Sequence, residues 1–154
     1  MNLYDIFEKL DIRYEQIEHP QVFTAEEAQG IKTKIDGVGC KNIFLTDKKE
    51  QYLLIIVKDD KKVKIKEIAQ RANTSHLSFA SEEKLKEILG LELGSVSPLG
   101  IIHDRNKKVK ILIDAELQEK KMLFHPNRNT ATLPIRYEDL IRFIEYEEHK
   151  YILI

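Results

Sequence analysis

Nine consecutive residues, Phe124-His125-Pro126-Asn127-Arg128-Asn129-Thr130-Ala131-Thr132, carry an imidazole, two amides, a guanidinium and two hydroxyls. Burying that many hydrogen-bonding groups unpaired would be costly, so they either line a wet pocket or form a well-satisfied turn. Three other stretches are comparably dense: His19 to Glu27, Gly37 to Leu45, and Gly94 to Gly100. In the last, glycines on either side of Pro98 permit a tight backbone path that can aim several N–H groups at one point, as an oxyanion or a phosphate requires. A plain connecting turn accounts for that spacing at least as well. Lys41, read as opening a strand after a glycine turn, is either a solvated edge charge or a cation that reaches over the sheet end to an anionic group. Asn42 alternates to the other face.

Other chemistries find less support. His19, His76, His103, His125 and His149 are scattered, with no HExxH pattern and no cysteine partners, so a metal hydrolase is disfavoured and no metal ligand is assigned. His149, amid Glu147 and Glu148, reads as a surface residue, and His76 and His103 lie in polar, turn-like surroundings. Cys40 is the only cysteine; Lys41 beside it could favour a thiolate, but Val38, Ile43 and Phe44 make a small buried hydrophobe the better reading. Ser95 and Ser97 lack a GxSxG elbow. Neither a Walker A motif nor a dinucleotide glycine fingerprint is present, so no nucleotide cofactor is expected.

A chain of 154 residues with a formal net charge of -1 reads as one domain, 1–154, able to bury roughly two-thirds of its unfolded surface. That balance excludes a surface that is cationic throughout, though not a local footprint: between Lys41 and Arg71 nine Lys/Arg face five Asp/Glu. A lone cysteine excludes disulfide stapling within the chain. With no apolar run of ~20 residues and no signal-peptide pattern, a cytoplasmic location is expected.

The elements that must position these groups follow from period and punctuation. Helices are expected at Tyr4–Leu10, from Thr24 (a capping box with Glu27) to Gly30, at Ile65–Ala69, from Ser81 to Gly90, and at Ile135–Tyr146. Strands are expected at Arg13–Glu18 on a sheet edge, Lys41–Leu45, Gln51–Val57, Leu77–Phe79, Lys108–Asp114, Lys121–Phe124, Thr130–Leu133 and Tyr151–Ile154. Hairpins are common and only some helices lie between strands. This predicts an α+β domain with a central mixed, mostly antiparallel sheet flanked by helices.

Four segments together carry a resemblance: His19-Pro20-Gln21-Val22-Phe23-Thr24-Ala25-Glu26-Glu27-Ala28, Lys41-Asn42-Ile43-Phe44-Leu45-Thr46-Asp47, Gly94-Ser95-Val96-Ser97-Pro98-Leu99-Gly100, and Phe124 to Thr132. In order and separation they resemble the YbaK/prolyl-tRNA synthetase-associated editing domain, and within it the freestanding alanyl-tRNA(Pro) deacylases (PrdX-like). Gly39 departs from the histidine that relatives often carry two residues before the lysine.

The resemblance implies hydrolysis of mischarged aminoacyl-tRNA, most readily Ala-tRNA(Pro), by water attack on the 3′-ester without metal or cofactor. The family lysine maps onto Lys41, the flexible GxxxP loop onto Gly94 to Pro98, and the family histidine onto His125. Lys41, Gly94, Ser95 and His125 are accordingly the candidate catalytic residues. Thr24, Asn42, Phe44, Val96, Ser97, Pro98, Phe124 and Asn129 are the candidate substrate contacts, with Phe44, Val96 and Phe124 as walls of a small pocket. Lys58, Lys61, Lys62, Lys64, Arg105, Lys107 and Lys108 would supply phosphate contacts for the acceptor stem. The implied partners are the acceptor end of tRNA(Pro) and, transiently, prolyl-tRNA synthetase; a monomer that binds no membrane is expected. The rival class is a non-catalytic nucleotide- or aminoacyl-binding regulatory domain of the same fold.

Overall fold

The computed structural model describes residues 1–21, 25–32 and 34–154, without the side chains at positions 25, 28 and 32. The capping box read at Thr24 lies outside the described residues, as does that residue's place in any site.

Among the described residues, fifteen helical and strand segments follow one another along the chain. Helix α1 (Leu3–Lys9) is closed by a capping box in which Asn2 and Asp5 each hold the other's backbone N–H, and it leads to the two-residue strand β1 (Ile17–Glu18). Helix α2 (Ala25–Lys32) runs through Gly30 instead of stopping there; a Cβ at that glycine would meet nothing within 4 Å. Strands β2 (Val38–Thr46) and β3 (Tyr52–Lys58) form a hairpin paired from Cys40↔Lys58 to Thr46↔Tyr52. Its connection is tied by the buried Asp47 carboxylate, which accepts from the backbone N–H of Lys49 and Gln51, each at 2.9 Å. After α3 (Ile65–Ala72) and β4 (Ser78–Phe79) comes α4 (Glu82–Leu89), capped by Ser81 Oγ accepting from Lys84 N at 3.1 Å. A 3-10 helix (Pro98–His103), β5 (Val109–Ile113), a short 3-10 turn (Ala115–Leu117), β6 (Lys121–Phe124), β7 (Ala131–Arg136), α5 (Tyr137–Tyr146) and β8 (Tyr151–Leu153) complete the order.

The main path of the sheet is β1-β7-β6-β2-β3-β5-β8, with β4 paired to β2. Pairings β1·β7, β2·β3, β2·β4 and β6·β7 are antiparallel, while β2·β6, β3·β5 and β5·β8 are parallel. This is the mixed, mostly antiparallel α+β sheet that the pattern predicts. Alternate residues of β3 serve two cores, as the period of a strand requires. Tyr52, Leu54 and Ile56 join a large cluster with Phe7, Leu89, Phe124 and Phe143, whereas Leu53, Ile55 and Val57 join a smaller one with Ile68 and Ala72 of α3. Among the described residues no helix is long and apolar enough to cross a membrane.

Gly90 ends α4 in the left-handed region at φ 66°, and a Cβ there would stand 2.9 Å from His103 Nδ1. Gly90→Ala is therefore expected to cost about 1–2 kcal/mol from backbone strain alone, measured by thermal unfolding. The opposing ring cannot give way freely, because His103 Nδ1 bonds the Leu89 carbonyl at 2.9 Å.

Candidate functional site

Lys41 lies within β2, not at its start, because the strand begins three residues earlier at Val38. Its side chain is exposed, and its ammonium donates to the carbonyl of Lys61 at 2.8 Å. On one side β2 pairs in parallel with β6 through Val38↔Met122 and Gly39↔Leu123. Lys41 and His125 each lie two residues beyond the last of these pairs, so they leave the ladder at the same level of neighbouring strands. Strand alternation puts Lys41 on the face of Ile43 and Leu45, and Asn42 on the face of Phe44, with the larger core. Asn42 Oδ1 is buried with no hydrogen-bond partner among the described residues.

His125 follows β6 directly and is half-buried. Its Nδ1 sits 2.8 Å from the Ala131 carbonyl, which can only accept, so the proton is on Nδ1 and Nε2 presents a lone pair. Burial, reinforced by the nearby His19, pushes the His125 pKa down, and the bond to Ala131 only partly opposes this. Burial and His19 both favour the neutral ring. His19 is the residue that sequence reasoning left out of the site. Its ring centroid lies 5.9 Å from that of His125, and its Nε2 is 2.8 Å from Thr132 Oγ1. Only the His-Pro step that ends β1 hinted at it; the partners lie more than a hundred residues further on.

The glycine loop meets the far part of the same connection. Gly94, at φ 89°, comes so close to Asn129 that a Cβ would stand 3.3 Å from its Nδ2. Gly94 and Ser95 face Asn127, Arg128, Asn129 and Thr130 across a cleft of about 520 Å³. The loop is shorter than its sequence suggests: Pro98 is the first residue of the 3-10 helix, and Gly100 is buried inside it. Ser97 Oγ caps that helix by accepting from Leu99 N at 3.1 Å, and Ser95 Oγ donates to the Glu92 carbonyl at 3.0 Å. Both serines are thus engaged in holding the loop. Ser95 N–H is bonded to Glu92, while the N–H groups of Gly94, Val96 and Ser97 have no acceptor among the described residues.

Of the candidate walls, Phe44 and Phe124 are core residues, Phe44 stacked on Tyr52 with centroids 5.5 Å apart, and Val96 is half-buried against the same cluster. The lysines read as one patch fall at two ends of β5. Lys61 bonds Asp114 at 2.7 Å just after that strand, while Arg105, Lys107 and Lys108 precede it, about 17 Å away along the strand. Four of the seven already face acids: Lys58 with Asp60, Lys61 with Asp114 and Glu116, Lys64 with Glu67, and Lys107 with Glu147. Among the described residues no group of three or more His, Cys, Asp or Glu side chains is placed to hold a metal ion.

His149 is not on the surface. Its side chain is fully buried, with Nε2 2.9 Å from Asp104 Oδ2 and Nδ1 2.9 Å from the Glu147 carbonyl.

Comparison with known proteins identifies the family. A family model described as the aminoacyl-tRNA editing domain matches residues 19–143. The chain is 36% identical over 140 residues to the prolyl-tRNA editing protein ProX of Acetoanaerobium sticklandii, covering 90% of this chain and 85% of that protein. It is 34% identical over 155 residues to prolyl-tRNA synthetase associated domain-containing protein 1 of Danio rerio, covering 99% and 84%. The crystal structure of a candidate trans-editing enzyme for prolyl tRNA synthetase superposes with a TM-score of 0.71 at 18% identity, over 97% of this chain and 94% of that one. The chain belongs to the aminoacyl-tRNA editing domain family.

Proposed function

We propose that the protein hydrolyses mischarged aminoacyl-tRNA, with Ala-tRNA(Pro) as its substrate. The observation that carries this reading is the glycine-hinged loop, whose Gly94, Val96 and Ser97 N–H groups have no acceptor among the described residues and which packs against the His125–Thr132 connection. An aminoacyl ester is already activated, so hydrolysis needs positioning and stabilisation of the developing negative charge more than a covalent or metal-bound intermediate. The loop N–H groups stabilise the oxyanion. Lys41 holds the terminal phosphate or the adjoining ribose. Neutral His125 offers Nε2 to the attacking water or to an N–H of the aminoacyl group, and Asn129 adds a second polar contact from across the loop. Rejection of proline follows from crowding, since an alanine methyl needs little room and a pyrrolidine ring more.

The acceptor stem is drawn to the Lys58–Lys64 connection, which the Lys41–Lys61 bond ties to the strand that carries Lys41. With its other lysines facing acids, Lys62 is the free cation there among the described residues. The salt dependence of kcat/KM is accordingly expected to be shallow, with a logarithmic slope of about -1 to -2.

A deacylation panel tests the reading. Pure protein is given tRNA(Pro) carrying Ala, Cys, Ser or Pro, and tRNA(Ala) carrying Ala. Rapid loss of Ala from tRNA(Pro) with Pro retained is the expected result. Absence of turnover on every substrate would identify a binding domain instead, and activity that a chelator removes and zinc restores would identify a metal hydrolase.

A further inference from the structure

Strand β1 is short for the task it has. It carries His19 to the site through only two paired residues, Ile17↔Thr132 and Glu18↔Ala131, followed by His19 N–H to the Thr130 carbonyl at 2.9 Å. A ladder of that length at a sheet edge opens readily. Side chains close over it. Glu18 takes Arg128 in a two-pronged pair, NH1 to Oε2 and NH2 to Oε1, both at 2.7 Å. NH1 of Arg128 also donates to Thr130 Oγ1 at 2.8 Å. Glu18 Oε1 accepts from Gln16 Nε2 at 2.9 Å, and Gln16 Oε1 accepts from Tyr4 OH at 2.8 Å, so the chain of bonds runs back to α1. Exposed ion pairs ordinarily contribute little, but a bidentate guanidinium–carboxylate pair within a network is the exception.

Arg128 stands between Asn127, which is held in the left-handed region at φ 62°, and Asn129, which meets Gly94. It borders the cleft, yet its NH1 and NH2 groups are turned to Glu18 and Thr130. That orientation suits a residue that places its neighbours better than one that grips a ligand. Tyr4, Gln16 and Glu18 all precede residue 19, where the match to the family model begins.

We propose that Glu18 and Arg128 form a positioning latch, which fixes the 125–130 connection, and with it His125 and Asn129, against the Gly94 loop. The proposal rests on the reading of His125 and Asn129 as site residues. With the latch open the fold persists, but the imidazole and the amide are no longer held where the ester carbon must lie.

Three single variants, Glu18→Gln, Arg128→Ala and Arg128→Lys, and the reversed pair Glu18→Arg with Arg128→Glu, test this in the full chain. Each single variant is expected to lower kcat on Ala-tRNA(Pro) about tenfold with KM within about twofold, because a small misplacement of reacting groups acts on the chemical step. Arg128→Lys is expected to fail as well, since an ammonium cannot make the two-pronged pair. The reversed pair is expected to recover kcat to within about threefold, with melting temperatures throughout within about 3 °C of the parent. Amide hydrogen exchange over 125–130, read without RNA, should quicken about tenfold in the single variants and slow again in the reversed pair. Single variants with unchanged kcat and unchanged exchange would overturn the latch, as would losses that track melting temperature with no recovery in the reversed pair. If the unmodified protein cleaves no aminoacyl-tRNA, the functional reading fails, and the exchange measurement alone still decides the latch.

Discussion

Lys41→Ala is expected to abolish most deacylation of Ala-tRNA(Pro), by about 10²–10³-fold in kcat, while the protein folds as before. A preorganised charge at the reacting end of a substrate is worth that much when removed. The fold should not notice, because the ammonium is exposed and its one described bond goes to the carbonyl of Lys61. Surface substitutions of this kind fall within about 0.5 kcal/mol. The backbone at that position stays paired with Val57 of β3 whichever side chain it bears. Single-turnover hydrolysis with a thermal melt of the same sample checks both halves. Activity within threefold of the parent would remove Lys41 from the site.

His149→Ala is expected to cost about 3 kcal/mol in urea unfolding, because it strands a buried carboxylate. Asp104 Oδ2 accepts from His149 Nε2 and from Val109 N, both at 2.9 Å, and Oδ1 accepts from Lys108 N at 3.1 Å. Burial alone would push the Asp104 pKa up, but His149 and the two backbone N–H groups outweigh it and hold the group below its ordinary 3.8. A carboxyl whose pKa is lowered by folding adds stability that is complete above the unfolded value and lost as pH falls through the folded one. The gap in stability between the parent and Asp104→Asn should therefore be full above about pH 4 and close as acid is added below it. A loss under 1 kcal/mol for His149→Ala would show that water replaces the ring at no great cost.

Elements governed by their own neighbours were legible in the chain. Ser81 and Gly90 bound α4 because a cap and a left-handed stop act within one turn of the backbone, and the apolar run of β3 is uninterrupted because both faces of that strand are covered. Where a distant partner decides, the pattern misled. Ile135 and Arg136 fit the helical period of α5, yet they extend β7 because Met122 and Lys121 pair with them. Arg13 to Glu18 alternates like a strand, but only Ile17 and Glu18 find a partner, and Tyr14 packs on Tyr4 and Phe7 instead. Gly30 reads as a stop, but a glycine is tolerated in a helix when nothing else ends it there. His149 looked solvated among glutamates because Asp104 lies 45 residues earlier in the chain. For the site the contrast is the same. Lys41, the Gly94 loop and His125 stood out by residue type and glycine spacing, and the resemblance supplied their expected roles, whereas the approach of His19 to His125 depends on β1 reaching β7 across the chain.

Strand β2 lies in the middle of the sheet path. It is hydrogen-bonded to β3, β4 and β6, so that strand can open only if three neighbours release it. The lysine thus rides on a strand held by three others, whereas 90–97 and 125–130, the segments proposed to border the esterified residue, are connections outside the ladders. On the proposed function, exchanging residues of those connections should shift the choice of amino acid while the pairing of β2 around Lys41 stays as it is.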